Sequence, residues 1–441
     1  MQAVPPNDIL EFALNGEFEH GWREYAKLSQ PSPVDDRWGA ACLMFLGKLQ
    51  AAERLLTQAV NRGYIAARIE LAGVRRLMGQ ASLGRELLES LEGARHEPRA
   101  PDALPDGWGA ASLGPLDCLD RFDAALLQRE WGIAQHNAGD LRAACLTFER
   151  AWAVAQKTRQ GRAVASSIDQ LWAEAFFTLG RLREADEHLV RACASASQPR
   201  RATLMAVRAR LDVMRGDLSA AESHARSALR LARAYSLPNP EASLVLVRLH
   251  AARGSLALAA RDIAGVIDAA AASGAADLEL KARLLAANVE AQRENFGLAN
   301  AHLVGCERLE RSPWDEGLVA LRRGAMLVRR DDVLALEDLN AALSVFTRLN
   351  LPRESGWTRL HLAEAYLTAS DAAAAKVELE AALACRQAMG DGMPLMHELA
   401  LLPRAQAALS GPLAEDWRSY AGRVACAKKR VTMKIASGPP N

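Results

Sequence analysis

One phrase recurs along this chain and constrains its fold more than any other property. An apolar run ends at a small turn residue, Leu follows two positions on, and then come Ala, a large apolar residue and Ala at helical spacing. The clearest copy is Gly132…Gly139-Asp140-Leu141…Ala144…Phe148…Ala151, matched by Ala40…Gly47-Lys48-Leu49…Ala52…Leu56…Ala59. Two further copies are Ala173…Gly180-Arg181-Leu182…Ala185…Leu189…Ala192 and Ala209…Gly216-Asp217-Leu218…Ala221…Ala225…Ala228. Weaker copies turn at Gly16, Gly79, Gly254, Glu294, Arg330 and Ser370. Glycine at the turn permits the left-handed backbone that joins two antiparallel helices. Alanine at the contact point lets the partner helix approach closely. A single helical hairpin cannot bury its apolar face, so stacked neighbours must supply the core.

Composition agrees. Only 8 Ile and 9 Thr occur in 441 residues, against Ala and Leu throughout, which favours helix over strand. With 54 Lys+Arg against 53 Asp+Glu, no large positive excess marks a nucleic-acid coat or a membrane-surface domain. No apolar run approaches the ~18 residues that span a bilayer. The start Met1-Gln2-Ala3-Val4 carries no basic-then-apolar leader, and the seven cysteines are scattered without metal-ligand spacing. These features predict a cytoplasmic protein with reduced, packed thiols.

The skeleton resembles the tetratricopeptide repeat, over most of the chain. Spacings nearer 36–41 residues than the family's 34 are similar to the long-helix variants in sensor arms of bacterial transcription activators. The resemblance implies an all-α, right-handed superhelical solenoid of about ten antiparallel helix-turn-helix repeats with a C-terminal capping helix, a curved rod with a wettable inner wall. The expected organisation is N-terminal repeats over 1–92, a Pro/Gly-rich linker or loop over 93–116 and the main array over 117–390. Capping helices over 391–427 and a basic flexible tail over 428–441 complete it. Trp108 in the linker is expected to pin that segment onto the solenoid.

A search for chemistry returns no P-loop, G-x-S-x-G, H-E-x-x-H or EF-hand motif. The acidic group Asp117, Asp120 and Asp123 reads as a helix start. His188, His224 and His302, at equivalent places in stacked repeats, stand too far apart to share a metal and read as half-polar packing residues. No enzyme activity, metal or cofactor is expected.

Binding is expected on the concave side. The family resemblance assigns the groove places Arg37, Phe45 and Arg76 in the N-terminal group, and Arg129, His136 and Asn137 in the unit turning at Gly139. It adds Gln170, Glu174 and Phe177 next, then Arg210 and Met214, then Arg248, and Asn288 in the unit turning at Glu294. Arg210 and Arg248 hold equivalent places, and a guanidinium row suits carboxylates or an extended peptide backbone. The plainer alternative is that each Arg pairs with a local Glu such as Glu174 or Glu241. The family's carboxylate clamp of Lys and paired Asn is not reproduced.

The reading that follows is a non-catalytic scaffold or adaptor for a protein or extended, acidic peptide segment. The alternative is a ligand- or peptide-responsive sensory protein of a transcription or signalling system. Nucleic acid contact would have to come through Lys428, Lys429 and Arg430, and the long apolar seam also suits homo-oligomers.

Overall fold

The computed structural model describes residues 8–93, 119–309, 311–332, 334–390 and 393–422. Among them all regular structure is helical, and twenty helices pair into ten hairpins. The first three are α1 (Asp8–Asn15) with α2 (Phe18–Tyr25), α3 (Pro33–Phe45) with α4 (Leu49–Asn61), and α5 (Ala67–Leu77) with α6 (Ala81–Gly93). After residues 94–118 come α7 (Arg121–Asn137) with α8 (Leu141–Ala155), and α9 (Arg159–Thr178) with α10 (Leu182–Ser195). Hairpins 6 to 8 are α11 (Gln198–Met214) with α12 (Leu218–Ala234), α13 (Pro240–Ala252) with α14 (Leu256–Ser273), and α15 (Ala276–Gln292) with α16 (Phe296–Glu307). The last two are α17 (Pro313–Arg329) with α18 (Ala335–Arg348), and α19 (Pro352–Thr368) with α20 (Ala372–Met389). Short helices α21 (Met393–Leu399) and α22 (Pro403–Ala407) follow, then α23 over 411–422. No described helix is long and apolar enough to cross a membrane. The expected linker with Trp108, and the expected tail, lie outside the described residues.

All ten turns adopt positive φ. Seven are the glycines named above, and Glu294, Asp331 and Ser370 adopt the same conformation without glycine. The ninth turn sits at Asp331, one residue beyond the expected Arg330, whose φ of −92° still belongs to the helix end. At Gly139 the local chemistry is explicit. Its N–H reaches the His136 carbonyl and the Asp140 N–H reaches that of Gln135, a Schellman closure. Asp140 then accepts from the Ala143 N–H at 3.1 Å, so one residue both ends α7 and caps α8.

In eight of the ten hairpins the residue seven positions before the turn is Ala or Gly and seats the partner helix, Ile9 and Val247 being the exceptions. A Cβ on Gly132 would stand 2.4 Å from the Phe148 ring, which is fully buried. Gly132→Ala is therefore expected to cost about 1–3 kcal/mol by overpacking. A lower thermal midpoint by circular dichroism checks this; an unchanged midpoint would mean that Phe148 has room to move.

The hairpins wind tightly enough for successive superhelical turns to touch. α1 meets α9, α5 meets α15, and the Arg353 Nη1 donates to the Phe177 carbonyl at 2.9 Å. Gly16 faces Pro199, Gly79 faces Ala276 and Gly180 faces Met389. The edges of hairpins 1 to 5 thus rest on hairpins 6 to 10. The superhelical solenoid expected from the sequence is thus wound so that two of its turns touch, with the first helices facing inward around a channel. Hairpins 3 and 4 also meet directly, α7 packing on α5 and α6, so the stack is continuous between them.

The C-terminal segment, expected as capping helices, packs back on the array. α21 and α22 pack on α19, and α21 also reaches α11. Leu395, Met396, Leu399 and Ala405 are fully buried. α23 returns to the end of the array, with Asp416 paired to Arg386 and Leu413 and Tyr420 buried.

Candidate functional site: the inner channel

The channel wall is built from the first helix of each hairpin, whose buried apolar face turns to its neighbours and leaves polar side chains pointing inward. In hairpins 5 to 8 these form a row of alternating charge. Gln170 Nε2 donates to Glu174 at 3.0 Å, and Arg210 Nη2 donates to the other Glu174 oxygen at 3.2 Å. Arg210 also stands 3.6 Å from Glu241, which Lys281 approaches at 3.8 Å while bonding Asp277 at 2.9 Å. The local pairing of Arg210 with Glu174 and Glu241 is thus the arrangement found.

Protonation follows this row. Burial alone would raise the Glu174 carboxyl, but Arg210, Gln170 and Lys281 hold it below the usual carboxylate range. Burial opposes the Lys281 charge, yet Asp277 and Glu241 lift its pKa well above the normal lysine value. Asp277 is depressed chiefly by Lys281, with a contribution from Arg76 on the other superhelical turn.

Aromatic side chains pack beside these charges, Phe177 among them at 8% exposure. The Phe177 ring lies between the guanidinium groups of Arg210 at 4.7 Å and Arg353 at 5.1 Å. His136 contacts Thr178 Oγ1 at 3.2 Å and Asn137 Oδ1 at 3.3 Å, and meets Trp314 edge-on at 5.4 Å. Burial, with Lys281 and Arg210 nearby, lowers the His136 pKa and favours the neutral ring.

Two guanidinium groups stand apart. Arg248 makes no hydrogen bond or ion pair with any described residue, although it is half-buried. Burial and the charge of Arg210, followed by Arg322 and Arg353, push its pKa down to about 10 against the opposing charge of Glu241. Arg200 at the start of α11 likewise lacks an ion-pair partner among the described residues, its Nε is unsatisfied, and it stands over Phe45 at 5.7 Å. Burial and Arg129 push its pKa down to about 10 as well.

The remaining expected groove residues distribute unevenly. Arg129 and Arg76 both reach Glu130, at 2.8 and 3.6 Å. Asn288 is half-buried, and Phe45 is exposed and stacked on Phe18 at 4.3 Å. Met214 is buried in the core. Arg37 is 1% exposed and is taken up on every side. It grips Glu70 with two bonds of 2.8 Å, pairs with Asp123 at 2.7 Å, reaches Tyr64 Oη at 3.2 Å and lies 4.5 Å over Trp38. Arg37 and Met214 therefore offer a ligand no face, because the neighbouring hairpins close over them. Arg200, Trp314, Arg353 and Arg322 were missed. They reach the site through the winding of the superhelix, which no local spacing announces.

Among the described residues no group of three or more His, Cys, Asp or Glu could hold a metal ion. His188 pairs with Asp169 at 3.1 Å and His224 with Asp212 at 2.7 Å, the packing role expected for both. Asp120 caps α7 by accepting from the Asp123 N–H at 2.8 Å. The described cysteines are free, and burial pushes Cys42 and Cys306 up to about 12 and Cys145 to about 11, away from thiolate reactivity.

No protein-family model matches the chain, and no curated protein matches it. Solved structures do. A Rap protein complexed with competence and sporulation factor aligns over 81% of this chain and 98% of its own, with 9% identity and a TM-score of 0.60. The Rap conjugation gene regulator of plasmid pLS20, in complex with the Phr* peptide, covers 87% of this chain and 99% of its own, at 13% identity and a TM-score of 0.52. The fold is a tetratricopeptide-type helical-repeat solenoid. At these identities the likeness speaks to architecture alone.

Proposed function

We infer that the channel wall of hairpins 4 to 8 holds an extended protein or peptide segment, and that the protein serves as a non-catalytic adaptor or regulator. The carrying observation is the row Glu174–Arg210–Glu241–Lys281, a half-exposed strip of paired charges on the inward side of the first helices. Such a strip offers donors and acceptors to a peptide backbone. The two similar solved structures are complexes, one with a sporulation factor and one with a peptide, which supports this use of the architecture.

A photo-crosslinking residue at Thr203, which is exposed on the inner helix α11, tests the reading in extract of the native cell. Crosslinked peptides are expected from position 203 and not from Val190, which is 53% exposed on α10. Equal yields from both positions would overturn the channel assignment.

A sensory or regulatory role is the second reading, favoured by the description of one similar structure as a conjugation gene regulator. Its DNA contact would depend on Lys428, Lys429 and Arg430, outside the described residues, or on a partner protein. A mobility-shift assay with and without residues 428–441 separates the two: a shift lost on truncation favours the regulator, and none in either case favours the adaptor. Light scattering reports any homo-oligomer.

A further inference from the structure

Two hairpins of the array already hold a polypeptide segment on their concave wall, and the occupant is the chain's own C-terminal stretch. Trp357 Nε1 donates to the Pro394 carbonyl at 2.8 Å, and Arg329 donates to that of Leu401 at 3.2 Å. Glu364 accepts from the backbone N–H groups of Arg404 and Ala405 at 3.2 and 2.6 Å. Counted back from its turn residue, Glu364 stands in the place held by Glu174, Arg210 and Arg248 in the open hairpins. At that equivalent place in hairpins 5 to 7 the side chains of Glu174, Arg210 and Arg248 hold no backbone group of another helix among the described residues.

The grip includes a carboxylate. Glu398, on α21, is 2% exposed and receives Arg322 Nη1 at 2.5 Å and His361 Nε2 at 2.8 Å. Arg248 lies beside this arrangement, close enough for Arg322 and Arg353 to act on its charge. Unlike Arg322, it has no carboxylate of its own. A half-buried guanidinium without a counter-ion carries a desolvation cost that an incoming anion removes. Arg210 and Lys281 share Glu174, Glu241 and Asp277 as their ion-pair partners, and none of these carboxylates pairs with Arg248.

We propose that Arg248 is the subsite for a single carboxylate of a peptide lying in the open channel, supplied by an Asp or Glu side chain or by a C terminus. The site treats that carboxylate as Arg322 and His361 treat Glu398. This assignment rests on the channel reading above and adds the chemistry of the occupant. The bond it forms is charge-assisted and bidentate in reach, which favours carboxylate over amide.

Selection from two random octapeptide libraries, one with free and one with amidated C termini, tests it on the full chain. The three proteins are the wild type, Arg248→Gln and the channel-filling pair Thr203→Trp/Asn288→Trp, each checked by circular dichroism. The wild type is expected to enrich Asp or Glu several-fold at one position in the amidated library, or to favour the free-acid library if the C terminus supplies the group. Arg248→Gln is expected to capture peptides without that bias. A bias that persists in Arg248→Gln, or capture with no acidic bias, overturns the subsite while leaving the channel reading intact. Displacement of the captured pool by inorganic phosphate, with no acidic bias, also overturns it and assigns Arg248 to phosphate. Equal capture by the channel-filled pair overturns the channel reading itself, and absence of capture by all three proteins overturns both.

Discussion

Arg37→Met is expected to lower the unfolding free energy by about 3–5 kcal/mol, the scale for stripping one partner from a buried ion cluster. The guanidinium is closed off from water, and its removal leaves the Glu70 and Asp123 carboxylates facing each other in the interior. Burial already raises the Asp123 carboxyl, and Arg37 is the charge that opposes this. Losing Arg37 should drive that group toward its neutral form. Because Arg37 sits on α3, Glu70 on α5 and Asp123 on α7, the loss should loosen the junction between hairpins 2, 3 and 4 first. Faster amide exchange across α3, α5 and α7, with a lower urea midpoint, is the expected record. A loss under about 1 kcal/mol would mean that water reaches the cluster and the ions are screened.

Glu398→Ala is expected to cost about 3 kcal/mol or more and to release α21 and α22 from the inner wall. The substitution leaves Arg322 and His361 buried together without their shared acceptor. The wild type should show the same release in acid. Burial by itself would raise the Glu398 carboxyl, but Arg322 and the His361 bond hold it well below the ordinary glutamate value. A carboxyl depressed in the folded state contributes stability that is complete above its unfolded pKa, about 4.3, and fades as pH falls toward the lower folded value. Exchange of the 393–407 amides should therefore accelerate below about pH 4.3 in the wild type. In Glu398→Gln that acid dependence should flatten. Equal acid sensitivity in both proteins would assign the effect to other carboxylates, Glu364 first among them.

These two sites show where reading the chain succeeds and where it stops. The turn at Gly139 was legible because its Gly-Asp-Leu order serves a left-handed closure, an N-cap and a core anchor in succession. Asp331 displaced Arg330 by one residue because, without glycine, nothing in the local order marks which residue takes positive φ. The inward place of Arg210 was equally legible, since helical spacing decides which face a residue occupies. Spacing is silent on what stands opposite. Arg37 and Arg210 both hold inward positions on first helices, yet one is sealed in a core cluster and the other faces the channel. The difference comes from how closely hairpins 3 and 4 crowd α3.

Local chemistry, repeated ten times, is enough to determine hairpins of helix, their turns, their Ala and Gly contact seats and the polar side of each first helix. Those properties depend on residues within one or two helical turns of each other, so they can be read in order along the chain. Tertiary structure alone decided that the superhelical turns touch, that α21 and α22 pack on α19, and that Arg248 has no ion-pair partner among the described residues. Each of these depends on the angle between successive hairpins. Small differences in that angle add up over five hairpins before the partners meet, and so they leave no mark in the spacing of neighbouring residues.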